Sequence, residues 1–223
     1  MRGNGRINLL EVIGKVSQLP IEGNVYRTKT HIIYEATLLF AKNGYAAVSV
    51  RDIVENVGIT PGALYNHFPS KEALWLQILS LSEEIYKLFF SDLEKKIGKA
   101  EDLNEALELF FEEPLKEKNS FACYAISMVM NEKIHDKNAA RVYSDTFFRV
   151  GTTKLRENFD RFIRDGKIGE FDTENASLIV LSLLLRSIDN IVQQTMGMDT
   201  PFENEALLSA AKCCAIRHMM KGE

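Results

Sequence analysis

Between Thr60 and Lys71 the sequence sets hydrogen-bonding side chains at a spacing that suits one flank of a short helix. Thr60, Tyr65, His67 and Lys71 could each donate to a phosphate oxygen, and Asn66 could pair with a base edge through two hydrogen bonds. Gly62 and Ala63 are small, so the backbone at the helix start could approach an anion closely, where free N–H groups and the positive end of the helix dipole favour negative charge. Any one of these side chains reads equally well as a solvated surface group, and Tyr65 sits on the boundary between core and surface. Bond-making chemistry has no comparable constellation. The four histidines, His31, His67, His135 and His218, are far apart without metal-ligand spacing, no glycine-rich phosphate loop or nucleophile motif is present, and the pairs Glu83-Glu84 and Glu112-Glu113 read as exposed helix faces. Catalysis, a metal and a cofactor are therefore not expected.

The elements that must position this flank are helical. Thr28 to Asn43 carries Ile32, Ala36, Leu39 and Phe40 on one face and stops at Gly44, which accepts a left-handed backbone. Ser49 is an N-cap for a second short helix with Val50, Ile53, Val54 and Val57, closed by Gly58. Thr60 caps a third helix, Pro61 fills its first position, and Leu64 and Phe68 supply its core side, so Thr60, Gly62, Ala63, Asn66 and His67 are left facing outward. Pro69 ends it, and Ser70 caps a long amphipathic helix running to about Lys96. Two short helices joined through Gly58, with a third before them, make the helix-turn-helix arrangement that places residues 61–68 in a DNA major groove.

The run Phe40-Ala41-Lys42-Asn43-Gly44-Tyr45, Ser49-Val50-Arg51-Asp52-Ile53-Val54 and Val57 through Leu74 resembles the TetR family signature over about residues 26–86. The resemblance implies a DNA-binding module at 26–86 with its helix-turn-helix at 49–68 and a helical ligand-binding and dimerisation domain at 87–223; the extension at 1–25 places Leu9, Val12, Ile13, Val16 and Leu19 at the spacing of a short amphipathic helix. The resemblance also implies that Ser49, Arg51, Thr60, Tyr65, His67 and Lys71 hold phosphates while Gly62, Ala63 and Asn66 face bases. One position departs from the pattern: many members carry a lysine where this chain has Pro61, which removes one phosphate contact. A ligand-responsive regulator, most often a repressor on a palindromic operator, is the function implied.

Beyond residue 96, helical stretches are expected near 102–112, 120–133, 138–164, 173–196 and 203–220, with no strand-like alternation. Apolar residues surround most of the 173–193 helix, which points to a second subunit on one side of it, the alternative being a central helix covered wholly within one chain. Leu181, Leu184, Leu185, Ile188 and Ile191, with Leu208 and Ala211 of the last helix, are the expected homodimer interface. Phe110, Phe121, Tyr124, Met128, Phe147 and Phe148 are candidates for an apolar effector pocket, although core packing accounts for most of the aromatic and methionine side chains of helices 102–164.

The 223 residues, 46% apolar and 26% charged, belong to an ordinary globular chain, and 13 glycines with 5 prolines favour an all-α fold. The net charge of −4 is unevenly spread. Residues 24–71 hold Arg27, Lys29, Lys42, Arg51 and Lys71 against Glu35, Asp52 and Glu55, so a mildly basic head sits on an acidic body. Cys123, Cys213 and Cys214 give an odd count without a disulfide framework, as expected of reduced thiols in a cytoplasm. The longest apolar run, Leu178 to Leu185, falls short of a membrane span, and the first residues lack a signal-peptide cleavage pattern. The expected partners are thus double-stranded DNA, a second copy of the chain and an unidentified small-molecule effector. Two rivals are a helical carrier or enzyme for a small lipophile, and a DNA binder serving nucleoid or division control.

Overall fold

A computed structural model describes residues 24–116 and 121–200, together with residues 206, 207, 209, 210 and 213. The expected extension before Asn24 lies outside the described residues, as do Leu208 and Ala211 and most of the helix expected over 203–220. Helices dominate throughout, with no strand among the described residues: α1 (Asn24–Asn43), α2 (Val50–Val57), α3 (Pro61–Tyr65), α4 (Lys71–Ile97), α5 (Leu103–Lys116), α6 (Phe121–Glu132), α7 (Lys137–Arg141), a π-helical segment (Val142–Phe148), α8 (Arg149–Arg164) and α9 (Thr173–Thr195).

The short helices begin and end where their caps dictate. Ser49 and Asp52 form a reciprocal capping box: the Asp52 amide donates to Ser49 Oγ at 3.2 Å, and the Ser49 amide donates to Asp52 Oδ2 at 2.7 Å. Gly58, at φ +75°, closes α2 in the left-handed conformation. Thr60 Oγ1 accepts from the Ala63 amide at the start of α3, and Ser70 Oγ accepts from the Ala73 amide at the start of α4. Ile32, Ile33, Ala36 and Phe40 of α1, Ile53 and Val54 of α2, Leu64 and Phe68 around α3, and Leu74, Trp75 and Ile78 of α4 are all buried. At their centre Trp75 meets Phe40 edge-on at 5.6 Å and Tyr45 at 4.9 Å between ring centroids. The α1 core face differs in one detail from its periodicity, since Ile33 and Thr37 are buried and Leu39 is half-exposed.

Twenty-seven residues long, α4 spans roughly 40 Å. Its first turns belong to the three-helix module and its later residues, Ile85, Tyr86, Phe90, Leu93 and Ile97, to the body. There α9 packs between α8, α6 and α5, while α1 lies along α6. The segment expected as one helix over 138–164 contains the π-helical turn instead. Within it, the Phe147 carbonyl accepts from the buried Tyr86 hydroxyl, and the two rings stack with centroids 4.3 Å apart. Gly151 makes room for this: a Cβ there would lie 2.6 Å from Tyr86 Oη and 2.8 Å from Leu181 Cδ1.

Leu181, Leu184, Leu185, Ile188 and Ile191 are each 2 % exposed or less within the single chain. The expected interface residues of α9 are therefore interior residues, already covered by their own subunit. A helix apolar on most sides can be buried by three neighbours of one chain, which periodicity alone does not distinguish from burial by a partner. By length and mean hydropathy α9 could cross a membrane, and 67% of that window is buried in this fold, as a central core helix requires.

Candidate nucleic-acid interface

With Leu64 and Phe68 locked into the core, the opposite flank of α3 and the turn after it faces outward as a unit. Thr60, Pro61, Gly62, Tyr65 and Asn66 are exposed, and Ala63 and His67 are half-buried beside them. Tyr65 is 50 % exposed, which resolves its ambiguous position in favour of the surface. The helix proper is one residue over a turn long and ends at Tyr65, so Asn66 acts as its C-cap and His67 follows in the turn. The Thr60 hydroxyl spends an acceptor site on capping and keeps its hydrogen to donate.

Three expected phosphate contacts have partners inside the protein. Ser49 Oγ accepts from the Asp52 amide and donates to Asp52 Oδ2 at 2.7 Å, so its donors are committed to the capping box. The Ser49 hydroxyl and, next, the Ser49 amide, both donating to Asp52 Oδ2, hold the Asp52 carboxyl below its ordinary pKa. Arg51 is well exposed and pairs with Glu55 one turn on, at 2.7 Å, an exposed pair weak enough for a phosphate to displace. Lys71 points back into the module: Nζ donates to Tyr45 O at 2.7 Å and Val48 O at 2.6 Å and lies 4.1 Å from the Tyr45 ring centroid. Two of its three donors thus pin the loop between α1 and α2.

Lys29, which sequence reasoning did not single out, belongs to this surface. Its ammonium sits 5.3 Å from the Phe68 ring centroid. Burial, and secondarily the Lys29 charge, push the His67 imidazole below its ordinary pKa. A helix-periodicity argument could not pair Lys29 with a turn nearly forty residues away.

The six candidate pocket residues are dispersed. Phe121 meets Tyr34 of α1 at 6.0 Å, Phe147 stacks on Tyr86, Phe148 lies beside Tyr143 at 6.1 Å, and Met128 and Tyr124 are buried in α6. Phe110 alone of the six lines the small cavity between α4, α5 and α8, with Phe90, Leu93, Glu94, Ile97, Lys154, Leu155 and Asn158. Its volume of about 10 Å³ holds no more than about one water molecule.

Residues 32–78 match the model of the bacterial regulatory proteins of the tetR family. Among curated proteins, the chain is similar to the HTH-type transcriptional repressor DhaR of Mycobacterium sp. (strain GP1), 36% identical over 70 residues that make up 31% of this chain and 32% of that one. It is also similar to the HTH-type transcriptional repressor KstR2 of Rhodococcus jostii (strain RHA1), 42% identical over 65 residues, 29% of this chain and 28% of that one. The matched segments thus span about a third of those relatives' length. Among solved structures, the TetR family regulator PfmR from Thermus thermophilus aligns with a TM-score of 0.58 at 26% identity, covering 81% of this chain and 94% of that one. A gamma-butyrolactone receptor (ArpA like protein) shares the fold alone, with a TM-score of 0.61 at 20% identity, covering 88% and 90%. The segment over residues 32–78 is thus a tetR-type DNA-binding module by its family model, and the fold around it is shared with regulators of that family.

Proposed function

We propose that this chain is a ligand-responsive transcriptional repressor of the cytoplasm that holds a palindromic DNA operator as a homodimer and is released by a small-molecule effector. The observation that carries the reading is the outward flank of α3: a rigid surface of small, hydrogen-bonding residues fixed by Leu64 and Phe68. Residues 26–86 form the reader and 87–223 the dimerising, ligand-sensing body. Phosphates engage Thr60, Tyr65, His67 and Arg51, and Asn66 reads a base edge.

Pairing of two chains uses the outer stripe of α9, where Leu178, Ile179 and Leu183 are half-exposed on either side of the exposed Ser182. Two-fold symmetry then sets two α3 helices about 34–36 Å apart, one turn of DNA. The effector enters by parting α4, α5 and α8, because the small cavity between them admits nothing larger than about one water. Since α4 runs from that cavity to the reader, such parting alters the spacing of the two α3 helices. A conformational preference of roughly 2.8 kcal/mol in the effector lowers operator affinity about a hundredfold.

Enrichment of duplexes from a random pool by the full chain tests the reading. An inverted repeat is expected to emerge. Salt-labile binding with no preferred sequence would contradict it.

A further inference from the structure

Glu132 is the last residue of α6, in the body, and its carboxylate is buried with the residue only 6 % exposed. A buried carboxylate persists where polar partners compensate its lost hydration. Here the partner belongs to the reader: the Tyr45 amide donates to Glu132 Oε1 at 2.7 Å, across 87 positions of sequence. Gly44 stands immediately before it at φ +80°, and a Cβ there would lie 3.0 Å from the same oxygen. Glycine at this position thus serves both the left-handed turn and the close approach of the carboxylate.

From the opposite side the same loop is gripped by Lys71 of α4, whose ammonium takes the Tyr45 and Val48 carbonyls. Burial lowers the Lys71 pKa, and the Glu132 and Asp52 charges oppose that shift, so the two side chains support each other electrostatically. Loop 44–48 therefore connects α6, α4 and the start of α2, and α2 leads directly into α3. We propose that Glu132 is a positioning residue that fixes the pose of the DNA reader on the body through its hydrogen bond to the Tyr45 amide. A shift of α6 is transmitted to the α1–α2 loop through this bond, and its loss frees the reader to pivot while leaving every DNA-facing side chain intact. The effect on DNA affinity rests on the function proposed above; the effect on the loop does not.

Two variants of the full chain separate reach from charge. Glu132→Gln keeps an acceptor oxygen at the same distance, whereas Glu132→Asp keeps the charge and withdraws the oxygen by one methylene. In amide hydrogen exchange, residues 44–48 are expected to exchange about tenfold faster in Glu132→Asp and near the parent rate in Glu132→Gln, with Leu64 to Phe68 unchanged in both. Titrated with a duplex enriched by the parent protein, Glu132→Asp is expected to bind about tenfold more weakly and Glu132→Gln within about threefold of the parent. Parent-like protection of Tyr45 in Glu132→Asp, or a Glu132→Gln as impaired as Glu132→Asp, overturns the proposal. If the parent enriches no duplex, the regulator reading fails, and the exchange comparison still decides the role of Glu132.

Discussion

The outward residues of α3 divide by what each side chain can distinguish. Asn66 is exposed and can satisfy a donor and an acceptor on one base, so Asn66→Ala is expected to cost about 1–3 kcal/mol at a single operator position and to relax discrimination there. Competition titrations with single-base operator variants read this directly. Tyr65 offers one hydroxyl, and Tyr65→Ala should weaken binding evenly across sequences without altering the melting temperature. Lys71 differs from both, because two backbone carbonyls occupy its ammonium. Lys71→Ala is expected to lower stability by about 1–2 kcal/mol in denaturant titrations as well as lowering affinity. His67 brings a pH dependence. Burial, aided by Lys29, keeps its pKa low in the free chain, while a neighbouring phosphate favours the imidazolium and raises it. Binding then takes up a proton, so affinity should rise as pH falls through the imidazole range, and His67→Gln should flatten the profile. A parent profile that is already flat would show that His67 touches no phosphate.

At the scale of the elements, caps carry the definition of the reader. Ser49→Ala removes the capping box of α2 and should cost about 1 kcal/mol in chemical denaturation. These features were legible in the sequence because they are local: Ser49, Gly58, Thr60 and Ser70 announce helix ends within three or four residues. What was not legible is what depends on contact between distant segments. Tyr86 and Phe147 lie 61 positions apart, and the hydroxyl bond between them accompanies a π-helical turn inside a stretch whose periodicity reads as plain helix. Gly151 resembles a mild helix defect in the sequence, yet it is the space into which Tyr86 and Leu181 pack. Gly151→Ala is accordingly expected to destabilise by about 1–3 kcal/mol through overpacking, where helix propensity alone would predict a gain. Glu132 gave no signal either, since a single glutamate at a helix end is ordinarily solvated.

For the whole molecule, the main revision concerns which face of α9 is available. A helix apolar on most sides suggested a subunit interface at Leu184, and the fold buries that residue completely within one chain. Leu184→Glu should therefore unfold the protein, because a carboxylate would be stranded in the core. Ile179→Glu, on the half-exposed stripe, should instead yield a folded monomer by light scattering with little change in melting temperature. A dimer that persists would place the pairing surface elsewhere. Operator recognition as proposed requires two α3 helices presented at a fixed separation by one paired body. Hydroxyl-radical footprinting of the full chain on its enriched duplex tests this most directly. Two protected half-sites related by inversion, with centres about one helical turn apart or a multiple of it, are predicted. A single unrepeated protected patch, or uniform protection along the duplex, would contradict it.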